Sequence, residues 1–318
     1  MLMAKVADLY YLRDLTQQEI AERLGISRPM VSRLLQRSRA EGIVRIEVIP
    51  PNGVHHDLER ELEERFALRE AIVTMGQGET ATQRELGRAA ARYFERLLKG
   101  GEKIGVSWGT TLRAVVDSLR PQSLHPTVVP LVGGVGQISP GIHANDLAHG
   151  IASAFGGRVH LLHAPAIVAS CAVRQALFSD AGIRLALALA RQVDVALVGI
   201  GALVRSSTLV RSGYFSAERL AALRRRGAVG DICTRAFTID GGPVDNALER
   251  RILAVDLSDL RRIPTVIAVA GGVGKAEAIH GALRGRLVDV LVTDHLAALA
   301  ILRSAGARTA GVGLEAAR

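Results

Sequence analysis

Two glycine-flanked stretches carry the residue types best suited to holding an anion. The first, Ile104-Gly-Val-Ser107-Trp108-Gly109-Thr110-Thr111-Leu112, closes an apolar run and opens a helical one. Gly109 allows close approach to the backbone, while the free amides of the helix start and the hydroxyls of Thr110 and Thr111 face an anion. The second, Ile267-Ala-Val-Ala-Gly271-Gly272-Val-Gly274-Lys275-Ala-Glu-Ala-Ile279, repeats the arrangement with Lys275 at the helix start. There the helix dipole and the ammonium both favour negative charge. An ordinary capped turn is the alternative for the first loop taken alone, but its paired threonines favour phosphate. Nucleotide hydrolysis is not expected of the second, because it lacks both the Walker spacing and the Ser/Thr after lysine.

Three further groups could read a polyhydroxylated ligand. Pro130-Leu131-Val132-Gly133-Gly134-Val135-Gly136 ends another apolar run, and its glycines are expected to leave room for a ligand that His143 and Asn145 could hydrogen-bond. Taken alone, His143 has a structural reading as well. Asp231, in Gly230-Asp231-Ile-Cys-Thr-Arg, and Asp240 offer acceptors for sugar hydroxyls, although an acid beside glycine also suits a plain turn. Proton abstraction needs a positioned carboxylate with a second acid or base, and Asp231, Asp240 and His143 do not assemble into such a pair. No catalytic residue, metal ligand or cofactor is therefore assigned.

A different chemistry lies near the amino terminus. Thr16 and Glu19 form a capping-box pattern, and Ile20, Ala21 and Leu24 fall at helical spacing. Gly25 supplies a turn, after which Ser27 can cap a second helix with Pro29 in its first turn and Val31, Leu34 and Leu35 facing back. The small Ala21 and the freely rotating Gly25 suit a helix-turn-helix. A purely structural hairpin is the alternative, but Ser27, Arg28, Ser32, Arg33, Arg37 and Arg39 share the outward face. Arg28, Ser32 and Arg33 are candidates for reading base edges, and Arg37 and the more distant Arg45 for phosphate contacts. Ile43 to Ile49 alternates like a short strand after Gly42, which suggests a winged variant with Arg45 on the DNA backbone.

The elements that must position these residues follow from the apolar rhythm. Strand-like runs at 71–75, 103–107, 127–132, 159–163, 193–200, 265–270 and 288–293 alternate with helical patterns. Several are apolar throughout, as parallel strands covered on both faces must be. Ligands of such sheets bind off the carboxyl ends of the strands, where the glycine loops fall. Pro50-Pro51-Asn52-Gly53 reads as a linker, giving an expected DNA-binding domain at 1–52 and an effector and oligomerisation domain at 53–318. The charged helix after the linker carries Leu58, Leu62 and Phe66 on a narrow stripe, which could seat it on its own domain or pair it with another copy.

Composition bounds the reading without deciding it. The 318 residues include 40 Lys and Arg against 31 Asp and Glu, a formal charge of +9 that permits polyanionic partners. Much of the excess lies in short runs such as Arg224-Arg225-Arg226 and Arg261-Arg262, expected at solvated helix ends. The two cysteines, Cys171 and Cys233, have no disulfide or zinc pattern and are expected to be small buried residues in a reducing compartment. No long apolar span or signal-peptide layout is read, so a soluble, cytoplasmic protein without membrane contact is expected.

Together these pieces resemble the SorC-type family of bacterial sugar-responsive transcriptional regulators across nearly the whole chain. The matching segments are Leu15-Thr-Gln-Gln-Glu-Ile-Ala, Trp108-Gly-Thr-Thr, Val129-Pro-Leu-Val-Gly-Gly, Gly230-Asp-Ile and Ala268-Val-Ala-Gly-Gly-Val-Gly-Lys-Ala-Glu-Ala-Ile. The resemblance implies an α/β effector domain similar to the sugar-phosphate isomerase and glucosamine-phosphate deaminase fold, kept for binding rather than turnover. It implies a phosphate grip by Gly109, Thr110, Thr111, Gly272, Gly274 and Lys275, with His143 and Asp231 on the sugar. Some members that bind bisphosphorylated sugars carry arginine where this chain has Val132, so a monophosphorylated sugar or related polyol is expected. The expected partners are double-stranded operator DNA, that small effector and further copies of the chain in a dimer or tetramer. The competing reading is an active sugar-phosphate isomerase or deaminase.

Overall fold

Apolar residues at helical spacing build three helices in the amino-terminal unit of this computed structural model: α1 (Leu2–Tyr11), α2 (Gln17–Leu24) and α3 (Arg28–Ala40). The structure describes residues 2–44, 55–76, 78–134, 136, 141–204, 207–211, 213, 215–245 and 247–312. The chain divides into two compact units, Met1–Pro51 and Asn52–Arg318.

In the first unit Val6 and Leu9 of α1 close over Ile20, Ala21, Val31 and Leu35. The capping box is present: Thr16 Oγ1 accepts from the Glu19 amide at 3.3 Å and Glu19 Oε2 accepts from the Thr16 amide at 2.8 Å. Gly25 terminates α2 in the left-handed conformation, φ 65°, which a side chain would resist. Ser27 occupies the cap position of α3, but its side chain makes no capping bond, contrary to the cap expected of it. The expected strand at 43–49 and Arg45 lie outside the described residues, apart from Ile43 and Val44.

The second unit is a sheet covered on both faces. Its strands are β1 (Glu70–Thr74), β2 (Lys103–Val106), β3 (Thr127–Pro130), β4 (Arg158–Val159), β5 (Val195–Gly199), β6 (Gly201–Ala202), β7 (Ala228–Ile232), β8 (Arg235–Thr238), β9 (Thr265–Val269) and β10 (Val290–Asp294). Seven of them form a sheet in the order β1-β10-β9-β5-β2-β3-β4, parallel at every pairing, while β6-β7-β8 make a small antiparallel sheet. Every residue of β9 and β10 is buried, which accounts for their unbroken apolar sequence.

The helices are α4 (His56–Phe66), α5 (Glu79–Leu97), α6 (Thr110–Val116), α7 (Ala144–Phe155), α8 (Cys171–Ser179), α9 (Ala181–Ala190), α10 (Thr208–Arg211), α11 (Ala217–Arg225), α12 (Leu257–Leu260), α13 (Ala276–Arg284) and α14 (His295–Val312). Phe94 of α5, Leu112 of α6 and Phe155 of α7 fill one side of the sheet. Leu62 of α4, Ile279 of α13 and Ile301 of α14 fill the other.

The stripe on α4 seats the helix on its own unit, because Leu62 is wholly buried and Leu58 and Phe66 pack against the same core. Its carboxylates finish the edge of the sheet. Glu63 accepts from the Ala71 amide at 2.8 Å and Glu59 from the Val73 amide at 2.9 Å, pairing backbone donors of β1 that have no neighbouring strand. Cys233 is buried as expected, but Cys171 is exposed, because α8 lies on the surface and buries none of its residues.

Candidate effector site and nucleic-acid interface

The strand order reverses between β2 and β5. From β2 the chain moves outward to β3 and β4, and from β5 it moves the other way to β9 and β10. A crevice opens off the carboxyl ends at such a point. Because the seven strands are parallel, Ser107–Gly109 after β2, Gly133 after β3, Gly201 after β5, Gly271–Lys275 after β9 and Asp294 at the end of β10 all lie along one edge.

Gly109 caps α6, and its amide donates to the Ile142 carbonyl at 3.1 Å, drawing the start of α6 against the residue before His143. His143 occupies the cap position of α7 without a side-chain capping bond. The Thr110 hydroxyl accepts from Gln83 Nε2 at 3.4 Å, and Thr111 is buried. Gln83 is a polar group at this edge that the loop patterns alone did not single out.

The second loop is held from beneath. Asp294 accepts from the amides of Gly272, Leu296 and Ala297, so one buried carboxylate caps α14 and clamps the glycine turn. A Cβ on Gly271 would lie 2.4 Å from Asp294 Oδ2 and 2.8 Å from Leu86 Cδ1, so glycine is required there by close packing. Gly274 has open space where a side chain would be.

Lys275 is half-buried and faces Asp231, with Glu79 of α5 also in its field. Burial pulls the lysine below its ordinary value, and the two carboxylates oppose that shift. Asp231, on β7 opposite Gly201, is 6% exposed. Burial pushes its carboxyl up to about 6, against the opposing pull of Lys275 and of the Thr234 amide, which donates to it. The neighbouring Cys233 thiol, pushed up to about 12 by burial, meets the Ser107 hydroxyl. Contacts and fields therefore tie the loop after β2, the β7 strand end and the Lys275 helix start into one site.

Two expected ligand groups have other partners. Asn145 exchanges hydrogen bonds with the Leu162 backbone, Nδ2 to the carbonyl and Oδ1 from the amide, both at 3.2 Å. The room anticipated at Gly133 is filled: a Cβ there would lie 2.5 Å from the Ala164 carbonyl oxygen, and the Gly134 amide donates to that carbonyl at 2.8 Å. Gly133 thus admits a neighbouring backbone rather than leaving the strand end open, whereas a side chain at Gly134 would meet only the Ala164 carbonyl oxygen, at 3.9 Å.

On the amino-terminal unit Ser27, Arg28 and Arg33 are exposed and Ser32 half-buried along the outer side of α3. Arg37 is paired with Glu41 at 2.6 Å, and Arg39 donates to the Tyr11 hydroxyl at 2.8 Å. Among the described residues Arg28 and Arg33 have no ion-pair partner. A hollow of about 560 Å³ joins Arg28 to Thr16, Gln17 and Gln18, so the starts of α2 and α3 share one polar face.

A three-helix unit with a basic outer face, joined to a parallel-sheet unit with an anion-suited switch point, defines a ligand-responsive DNA-binding protein. Residues 52–303 match the Sugar-bind family of sugar-binding domains, and residues 4–41 match sigma-70 region 4. The sorbitol operon regulator of Klebsiella pneumoniae is 35% identical over 95% of this chain and 98% of its own. Its full-length crystal structure matches with a TM-score of 0.76. The deoxyribonucleoside regulator of Bacillus subtilis (strain 168) is also 35% identical, over 95% of this chain and 97% of its own. A DeoR family transcriptional regulator from Listeria monocytogenes matches 77% of this chain and 98% of its own, at 32% identity and a TM-score of 0.73. The chain belongs to the SorC-type family of transcriptional regulators, joining a helix-turn-helix region to a sugar-binding domain.

Proposed function

We propose that residues 1–52 bind a palindromic operator and that residues 53–318 assemble the chain into a dimer or tetramer and bind a monophosphorylated sugar that controls DNA binding. The observation that carries this reading is that two helix starts, Gly109-Thr110-Thr111 and Gly272-Val-Gly274-Lys275, follow β2 and β9 on the same carboxyl edge of the sheet, on either side of β5, with Asp231 in the field of the lysine. Amides, hydroxyls and ammonium suit one phosphate, while Asp231 and His143 suit sugar hydroxyls. Asn145, Gly133 and Gly134 contribute by fixing the walls. Val132 is buried and offers no cation for a second phosphate. Arg28, Arg33, Ser27 and Ser32 read the operator in this account, with Arg37 and Arg45 on phosphates.

The chain works by binding, not turnover, in keeping with the transcriptional regulators that it matches along nearly their whole length. Its setting is the cytoplasm, and among the described residues no helix is long and apolar enough to cross a membrane. Calorimetry with a panel of sugar monophosphates and bisphosphates tests the effector. Binding of a monophosphate is expected, with a coupled isomerase assay showing no turnover. Tight binding of fructose bisphosphate with none of any monophosphate overturns the assignment.

A further inference from the structure

Strain and an orphaned polar group coincide in the turn joining β7 to β8. Cys233 and Thr234 both take the left-handed conformation, φ 51° and 69°. Two-residue hairpin turns with positive φ at both positions are ordinarily built from asparagine, aspartate and glycine, and a β-branched threonine there is a strained choice. Each residue is only 2% exposed, so neither belongs to a loop that solvent could relax. Thr234 Oγ1 is buried and has no hydrogen-bond partner. Unpaired buried hydroxyls are rare and destabilising, and folding alone explains neither the backbone nor the hydroxyl of this residue. Backbone strain held by surrounding structure concentrates where ligands bind.

The location is specific. The Thr234 amide donates to Asp231, Asp231 faces Lys275, and the adjoining Cys233 thiol meets Ser107, two residues before Gly109. The strained turn thus touches both halves of the candidate effector site. A sugar hydroxyl brought beside Asp231 would give the Thr234 oxygen the partner it lacks, whereas a methylene at the same place would leave it unpaired.

We propose that Thr234 is a specificity-determining residue of the effector site, its hydroxyl acting with the Asp231 carboxyl to read a sugar hydroxyl, so that the effector is a hydroxylated sugar phosphate and not its deoxy counterpart. This rests on the effector being a phosphorylated sugar. The test is calorimetry on the full-length protein with matched pairs, ribose 5-phosphate against 2-deoxyribose 5-phosphate and glucose 6-phosphate against 2-deoxyglucose 6-phosphate, with inorganic phosphate probing the anion grip alone.

The wild type is expected to prefer the hydroxylated member of a pair by about tenfold. Thr234→Val, which keeps the shape and removes the hydroxyl, should cut that preference to about twofold without weakening phosphate or lowering the melting temperature. Thr234→Gly relaxes the backbone, and it should raise or preserve the melting temperature while also losing the preference. Retention of the full preference in Thr234→Val overturns the proposal. So does a wild type that binds sugar phosphates without distinguishing the pairs, or parallel losses of phosphate affinity, sugar affinity and stability in both variants. A wild type that binds inorganic phosphate but no sugar phosphate overturns the effector reading itself, and this proposal falls with it.

Discussion

At Asp231 the proposed ligand recognition and folding pull in opposite directions. Burial on β7 raises its carboxyl from the ordinary 3.8 to about 6, and Lys275 and the Thr234 amide recover only part of the cost. The folded chain therefore keeps a proton that the unfolded chain has released between about pH 4 and 6. Stability contributed by that proton falls as pH rises through this window and is lost above it. Asp231→Asn should consequently be more stable than the wild type at pH 7, by at most about 3 kcal/mol less whatever Lys275 loses, with the difference fading toward pH 4. Urea unfolding at the two pH values measures it, and effector affinity should fall in the same variant. The residue was legible in the sequence as an acid beside glycine. Its burial was not, because β6 and β8, which enclose it, come from segments 201–202 and 235–238 with no strong local pattern. Glycines were legible as positions and ambiguous as roles: Gly271 and Gly133 both admit close neighbours, but those neighbours, Asp294 and Ala164, lie far along the chain.

Among elements, the proposed function rests on helix starts, and these differ in how firmly they are made. The α2 start is closed by reciprocal bonds between Thr16 and Glu19, so Thr16→Ala should destabilise the amino-terminal unit by about 1 kcal/mol. Ser27 sits at the equivalent place on α3 with its hydroxyl uncommitted, so Ser27→Ala should leave stability nearly unchanged and weaken operator binding instead. Thermal melts and DNA titrations of the two variants separate these effects. The parallel strands and their covering helices were readable because each buries a continuous apolar run or one apolar face. Helix α1 has no acidic residue in its first turn and no basic one in its last, so only the spacing of Val6 and Leu9 marks it in the sequence. The fate of α4 could not be read, because its stripe fits either a neighbouring helix or its own sheet; the bonds from Glu59 and Glu63 to β1 decide it.

In the whole molecule, occupancy of the effector unit is proposed to change how the amino-terminal unit binds DNA. An effector can act only through unequal affinity for the DNA-competent and DNA-incompetent states, and the coupling is reciprocal. No local pattern in the sequence gives the sign of that coupling, which depends on two global states rather than on any one loop. Fluorescence anisotropy of an operator duplex, selected from genomic fragments by the protein itself, tests the claim most directly when titrated with and without a sugar monophosphate that calorimetry shows to bind. The effector should shift operator affinity by at least about fivefold, and Lys275→Ala should bind the operator normally but no longer respond. Equal operator affinity with and without every bound sugar phosphate, or an undiminished response in Lys275→Ala, would contradict the proposed coupling.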